Sequence, residues 1–473
     1  MTTVRCISPS ARVRRIAVAC LLASGWSVAD ANEFDRLAGL LAATPQGGWV
    51  KASIGTFPEA WATGSTAVNL PSYSNPASIV TAWSSFAWDA TRGDLLLWGG
   101  GHANYAGNEM YVWDGASGNW SRGSLASRLD ANYYVVDNAA PQSAHTYDNN
   151  IYLKNNGMFL TFGGAAFQSG GNLSSASGRT GPWLWDPSKA DPNKVGGTTG
   201  SGYDPSSLGG QMWTNRQGQW TGSEGPSYVN STTAYRSENG KDVVYLTSDS
   251  NASGFPTLYR YTLGNVRQGG SDSWEAIGRM WYSAGYQGTA TLDSANNYYV
   301  RTVNSNTAAD YDLTLWDLGL ATPGNPDANK DRPIRLVYGD GTDFSVNSFM
   351  AVEYDAANGQ FLIWDGKEQG TVYSTHVMRD AQGQLLTTWE VVKRASSTAA
   401  QPEGNFVTGV LGKWQYSAEL GAFIALDEFR NNDASVWLYK PFDLTVPVPE
   451  ASSWAMMLAG LAGLALMQRR RHA

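Results

Sequence analysis

The sequence predicts an all-β fold: a single β-propeller of six four-stranded blades, closed by its N-terminal strand. Three observations carry this. A strand pattern recurs along the chain, aromatic residues reach 12% while charged ones stay at 16%, and the last repeat lacks an outer strand that the N-terminus has to spare. Each repeat has an aromatic or apolar residue, usually an Asp, a few turn residues, often a Gly, and then an apolar run.

The first copies are Trp88-Asp89 to Leu95-Leu96-Leu97-Trp98, and Tyr147-Asp148 through Gly157 to Met158-Phe159-Leu160. The others run from Tyr235 to Val243-Val244-Tyr245, Leu292-Asp293 to Tyr298-Tyr299-Val300, Tyr354-Asp355 to Phe361-Leu362-Ile363-Trp364, and Tyr416 to Phe423-Ile424. Asp and Gly supply tight turns, so each copy reads as a hairpin. A third strand follows in each, at Tyr111–Trp113, Trp183–Trp185, Leu258–Tyr261, Leu313–Trp316, Val372-Tyr373 and Val436–Tyr439. Fourth strands are marked by Trp120, Trp213, Trp274 and Trp389, and His376 falls in an outer strand. The copies are 57 to 62 residues apart except for one interval of 88, from Asp148 to Arg236, which leaves room for a seventh blade. Trp49-Val50-Lys51 is the spare strand, and lending it to the last blade removes an exposed sheet edge. A two-sheet sandwich fits less well, since its strands would not recur in fours.

Both ends carry targeting signals. Arg5, Arg12, Arg14 and Arg15 precede an apolar run from Ile16, and Ala29-Asp30-Ala31 forms an A-x-A cleavage pattern, so residues 1–31 read as a signal peptide removed by signal peptidase. The run is too short for a membrane anchor, and most of it follows Cys20, which argues against a lipoprotein. At the other end, Val448, Pro449 and Glu450 precede an apolar stretch from Trp454 to Met467 and then Arg469, Arg470 and Arg471. A basic cluster after an apolar run is a stop-transfer pattern. With its three-part architecture, the tail over residues 447–473 resembles the PEP-CTERM sorting signal of Gram-negative bacteria, although Ala451 replaces the second proline of the motif. That resemblance implies an exosortase as partner, transient membrane association through the C-terminal helix, and release or attachment at the surface of a cell that makes extracellular polysaccharide.

Between these signals lies a body of residues 32–446 with 26 basic and 39 acidic residues, a net charge of −13. That sign excludes a nucleic-acid partner and disfavours a polyanionic glycan. Cys6 and Cys20 both precede the cleavage site, so the body has neither a disulfide nor a thiolate metal site. The body, from about 49 to 440, resembles kelch repeats and the galactose-oxidase-like propeller through Gly99-Gly100, Tyr111 and Trp120 in one unit and Gly163-Gly164 and Trp183 in the next. The later four units lack the double glycine. Copper chemistry of the galactose oxidase type is argued against, because its cross-linked cysteine has no counterpart, and no other cofactor or metal is expected.

In a propeller, the loops from second to third strand, and from fourth strand to the next blade, emerge on one face, where function usually sits. His102 and His145 fall there in adjacent blades, as candidate general bases, with Tyr147 as a candidate proton donor. Asn104, Tyr105, Asn108 and Tyr228 offer hydrogen bonds, and Tyr105, Tyr134, Trp220, Tyr282 and Tyr286 offer rings for sugar stacking. The competing reading is that His102 and Asn108 pin their own glycine-rich loop. No nucleophile elbow, P-loop or H-E-x-x-H motif occurs, and Asp249, Asp310, Glu368 and Glu428 are too scattered to name a carboxylate pair. Two functions stay open: binding of a matrix glycan, or a polysaccharide lyase or hydrolase with a His/Tyr site at the channel mouth.

Overall fold

The computed structural model describes residues 30–63, 75–167, 181–200, 205–221, 227–247, 256–266, 270–280, 287–303, 311–428 and 433–443. The architecture is a six-bladed propeller. Blade 1 runs Phe86–Asp89, Asp94–Leu97, Tyr111–Trp113, Trp120–Arg122, in that spatial order from the axis outward. Blade 2 is Asn150–Leu153, Met158–Thr161, Trp183–Trp185 and Trp213–Asn215, and blade 3 is Thr232–Glu238, Lys241–Thr247, Thr257–Thr262 and Asp272–Arg279. Blade 4 is Ala290–Asp293, Tyr298–Thr302, Leu313–Asp317 and Arg332–Val337, and blade 5 is Met350–Asp355, Gln360–Asp365, Val372–Thr375 and Val392–Arg394. Blade 6 takes Trp414–Ser417, Ala422–Leu426 and Val436–Lys440 from the end of the chain and Gly48–Lys51 from its start.

This closure is antiparallel, with Trp49 opposite Tyr439 and Lys51 opposite Trp437. Trp49 is 1% exposed, and its indole donates to Gly370 O at 2.9 Å. Its ring lies 4.9–5.6 Å from Tyr439, Trp414 and Trp364, so one aromatic side chain ties the N-terminal strand to blades 5 and 6.

The repeated aromatic-plus-Asp pair is an inter-blade staple. Asp89, Asp293 and Asp355 each cap their own hairpin by accepting two backbone N–H bonds from the turn. The next blade's inner-strand tyrosine stands beside each, Tyr152 by Asp89, Tyr354 by Asp293 and Tyr416 by Asp355, and the Tyr152 hydroxyl donates to Thr91 Oγ1 at 2.9 Å. Tyr235 instead accepts from Lys154 N in blade 2 and donates to Asp242 of its own blade. Deeper toward the axis, Gln415 of blade 6 clamps the blade 1 backbone at Trp88 N and Phe86 O, and Asp148 of blade 2 accepts from Thr233 N and Ala290 N of blades 3 and 4. These bonds satisfy the open edges of the inner strands.

Three expectations need correction. Trp389 lies in Thr388–Glu390, which pairs in parallel with Arg332–Val337 and extends blade 4; the fourth strand of blade 5 is Val392–Arg394. The chain crosses from one blade's edge to the next there, and a buried indole marks the crossing. His376 lies just past the third strand of blade 5 and is exposed. The 88-residue interval makes no seventh blade among the described residues; it holds the outer half of blade 2 and Trp220–Thr221, a parallel fifth strand on blade 3. Ahead of the borrowed strand, a helix, Asp30–Ala43, packs Leu37 and Leu41 into the core between blades 6 and 1. Its Arg36 donates to Gly115 O at 2.8 Å and to Ala52 O.

Candidate functional site

On the loop face, a two-stranded ribbon pairs Ala144–His145 with Ala165–Ala166. Ala165 O also accepts from His102 N at 3.3 Å, so both histidines take their register from one residue. Ser143 completes the frame: its hydroxyl accepts from Gly101 N at 3.0 Å and reaches Gly99 O and Tyr105 O. The glycines are required by close approach. A Cβ at Gly101 would stand 2.1 Å from His145 N, and one at Gly164 2.1 Å from His145 O.

The result is a polar aromatic corner. The His102 and His145 rings are perpendicular with centroids 5.6 Å apart, Trp83 lies 4.8 Å from His145 at 34°, and Tyr147 lies 6.1 Å away. His145 Nε2 and Asn104 Oδ1 are 2.8 Å apart, a pairing that puts the proton on Nε2 and leaves Nδ1 as the basic position. His145 is 2% exposed, while His102 is exposed and Asn104 and Trp83 are half-buried. Burial, helped by the nearby His102, pushes the His145 imidazole down to about 3, so it is neutral at any physiological pH. A base that weak accepts a hydrogen bond readily and a proton poorly.

The other sequence candidates are placed differently. Tyr105 is 2% exposed and donates to Glu109, and burial pushes its hydroxyl well above the usual phenol range. Asn108 is buried and pins its loop, donating to Pro141 O at 2.9 Å and accepting from Ser127 N at 2.8 Å. Tyr228 is 3% exposed and packs between Phe162 and Trp274. Neither tyrosine presents a ring to a ligand. Tyr134 is half-buried in the Asp130 turn, Trp220 stands in the fifth strand of blade 3, and Tyr282 and Tyr286 lie outside the described residues, as do Ala29, Val448, Pro449 and Glu450.

Trp83 was not among the sequence candidates, because it precedes the first inner strand and belongs to no repeated motif. It has φ +45°, Tyr147 has φ +50°, and Tyr147 N donates to Trp83 O at 2.7 Å. Left-handed residues stand two or three positions before the inner strand in five blades: Trp83, Tyr147, Asn230, Gln287 and Leu411. That strain belongs to blade entry, so at Tyr147 it is not a mark of function. Ala103, with φ +59° inside the His102 loop, has no such counterpart.

The axial channel is a separate space of about 340 Å³, lined by the inner strands of all six blades, and none of the candidate residues lines it. Two of its walls are acidic. Burial raises the carboxyl of Asp148, and pushes that of Glu353 up to about 7. Among the described residues no group of three or more His, Cys, Asp or Glu is gathered as a metal site, and no helix is long and apolar enough to cross a membrane.

None of the curated proteins matches the chain in sequence. Solved structures that resemble it include Penicillium chrysogenum α-L-arabinanase complexed with arabinobiose, with 14% identity and a TM-score of 0.41, over 79% of this chain and 96% of that one. The GH93 α-L-arabinofuranosidase of Fusarium graminearum gives 10% identity and a TM-score of 0.39, over 79% and 96%. Oligogalacturonate lyase of Vibrio parahaemolyticus gives 9% and 0.32, over 84% and 99%. Residues 447–471 match the PEP-CTERM protein-sorting motif, the signal of proteins exported in Gram-negative bacteria, anchored in the membrane until an exosortase processes them. The chain is an exported six-bladed β-propeller with a PEP-CTERM sorting tail.

Proposed function

We propose that the propeller binds a carbohydrate at the loop-face corner of blades 1 and 2, with His102, Asn104 and Trp83 as the contacting groups. The carrying observation is the His145 ring, buried, neutral and held by Asn104 against Trp83. A corner of neutral imidazole, amide and indole offers sugar hydroxyls directional partners and a ring face without charge. The net charge of −13 on the body favours a neutral glycan over a uronate. Tyr134 on the neighbouring hairpin belongs to this reading as an outer contact. So does a kelch-like kinship, supported by Gly99-Gly100 and Gly163-Gly164, all at positive φ. Purified residues 32–446 should retain one glycan class on an array that includes the producer's own polysaccharide. No retention above background defeats the proposal.

A catalytic reading is favoured by one observation, the exposed His102 beside His145, whose ring also meets that of Tyr147. His102 would take the proton there, since His145 is too weak a base, and Tyr147 would donate one. New reducing ends or unsaturated ends released from the polysaccharide, and lost in His102→Ala, would support a hydrolase or lyase.

A further inference from the structure

The propeller releases its sorting tail from one face. Val436–Lys440 runs from the loop face to the face of the inner hairpin turns, where Lys440 pairs with Gly48 and accepts from Gly47 N at 2.7 Å. Two residues on, Phe442 O accepts from Gln360 Nε2 at 3.2 Å beside the blade 5 hairpin, and Arg394 lies 5.4 Å from the Phe442 ring. The chain is therefore held to the turn face as far as Phe442. The sorting-motif match begins at 447, and ten residues, 444–453, separate Asp443 from the apolar run that starts at Trp454.

Ten residues span at most about 35 Å when fully extended. A body of this length has a radius of gyration of about 22 Å, hence a diameter of about 55 Å. The tether cannot pass around such a body and bring the opposite face to the bilayer that holds its end. We propose that, until the tail is removed, the turn face lies on the lipid bilayer, while the loop face and its His102–His145 corner point away. This goes beyond the carbohydrate reading and does not rest on it. Charge does not supply the attraction. On the turn face Lys154 pairs with Glu419 at 2.7 Å and Lys189 with Asp186 at 3.9 Å, and a body of −13 is repelled overall by anionic lipid. The orientation therefore depends on the tether and ends when the tail is cut.

The test uses the full-length precursor, made without an exosortase and with Cys6 and Cys20 replaced by serine, in vesicles of phosphatidylethanolamine and phosphatidylglycerol doped with spin-labelled lipid. Single fluorophores are attached at Ala418→Cys or Ala381→Cys on the turn face, and at Thr342→Cys or Val407→Cys on the loop face; all four positions are exposed. Turn-face labels should be quenched at least twofold more than loop-face labels, and proteolytic removal of the tail should abolish the difference. Equal quenching of the two faces, stronger quenching of the loop face, or a difference that survives tail removal overturns the proposal.

Discussion

At the turn face the blades repeat one another, while at the loop face they diverge. On the turn face, Asp89, Asp293 and Asp355 cap their hairpins in the same way, each with the next blade's inner-strand tyrosine beside it, while the loop face shares one backbone feature only, a left-handed residue that enters five of six inner strands. On the loop face, His102, Asn104 and His145 have no counterpart in any other blade. Repetition here builds the ring, and the chemistry worth testing lies in what does not repeat.

The largest break is at ring closure. Trp49→Ala should cost about 4 kcal/mol, the usual size for emptying a buried tryptophan site, read as a lower urea midpoint. A shift under about 1 kcal/mol would mean that the N-terminal strand is not what closes the ring.

Two titrations separate the regions by sign. At the loop-face corner, His145 is depressed to about 3 from an ordinary 6.5, so the unfolded chain takes the proton first. Its contribution is complete above pH 6.5 and is lost as pH falls toward 3, roughly 3 kcal/mol by pH 4, and His145→Gln should remove that acid slope. In the axial channel, Glu353 is raised to about 7, so the folded state holds the proton longer. Its contribution is complete below about pH 4.5 and lost as pH rises to 7. Glu353→Gln should therefore gain roughly 3 kcal/mol at pH 7.5 and nothing at pH 4. Slopes of the same sign at both sites would contradict the assignment.

A smaller effect concerns one staple. Tyr354→Phe removes the hydroxyl that stands beside Asp293 but leaves the hairpin cap intact, so the midpoint should fall by about 1 kcal/mol.

The fold was largely legible because a propeller writes each strand into sequence several times. The hairpins, the third strands and the loan of Trp49-Val50-Lys51 to blade 6 all follow from the repeat. Trp389 misled because its burial was readable but its pairing partner was not. The site was less legible. His102 and His145 could be placed in adjacent loops, yet whether a loop aromatic points in or out depends on packing. Tyr105 went inward to Glu109 and Tyr228 to Phe162 and Trp274, each gaining burial that an exposed ring would forgo. Trp83 gave no signal, since a lone tryptophan in an irregular segment has no periodicity to betray it.

The most direct test of a loop-face corner carried on a repetitive scaffold is titration calorimetry of residues 32–446 with the glycan retained on the array, comparing wild type with His102→Ala. His102 is exposed, so the substitution should move stability by less than about 0.5 kcal/mol while weakening binding about tenfold or more. Binding unchanged in the folded variant would contradict the account.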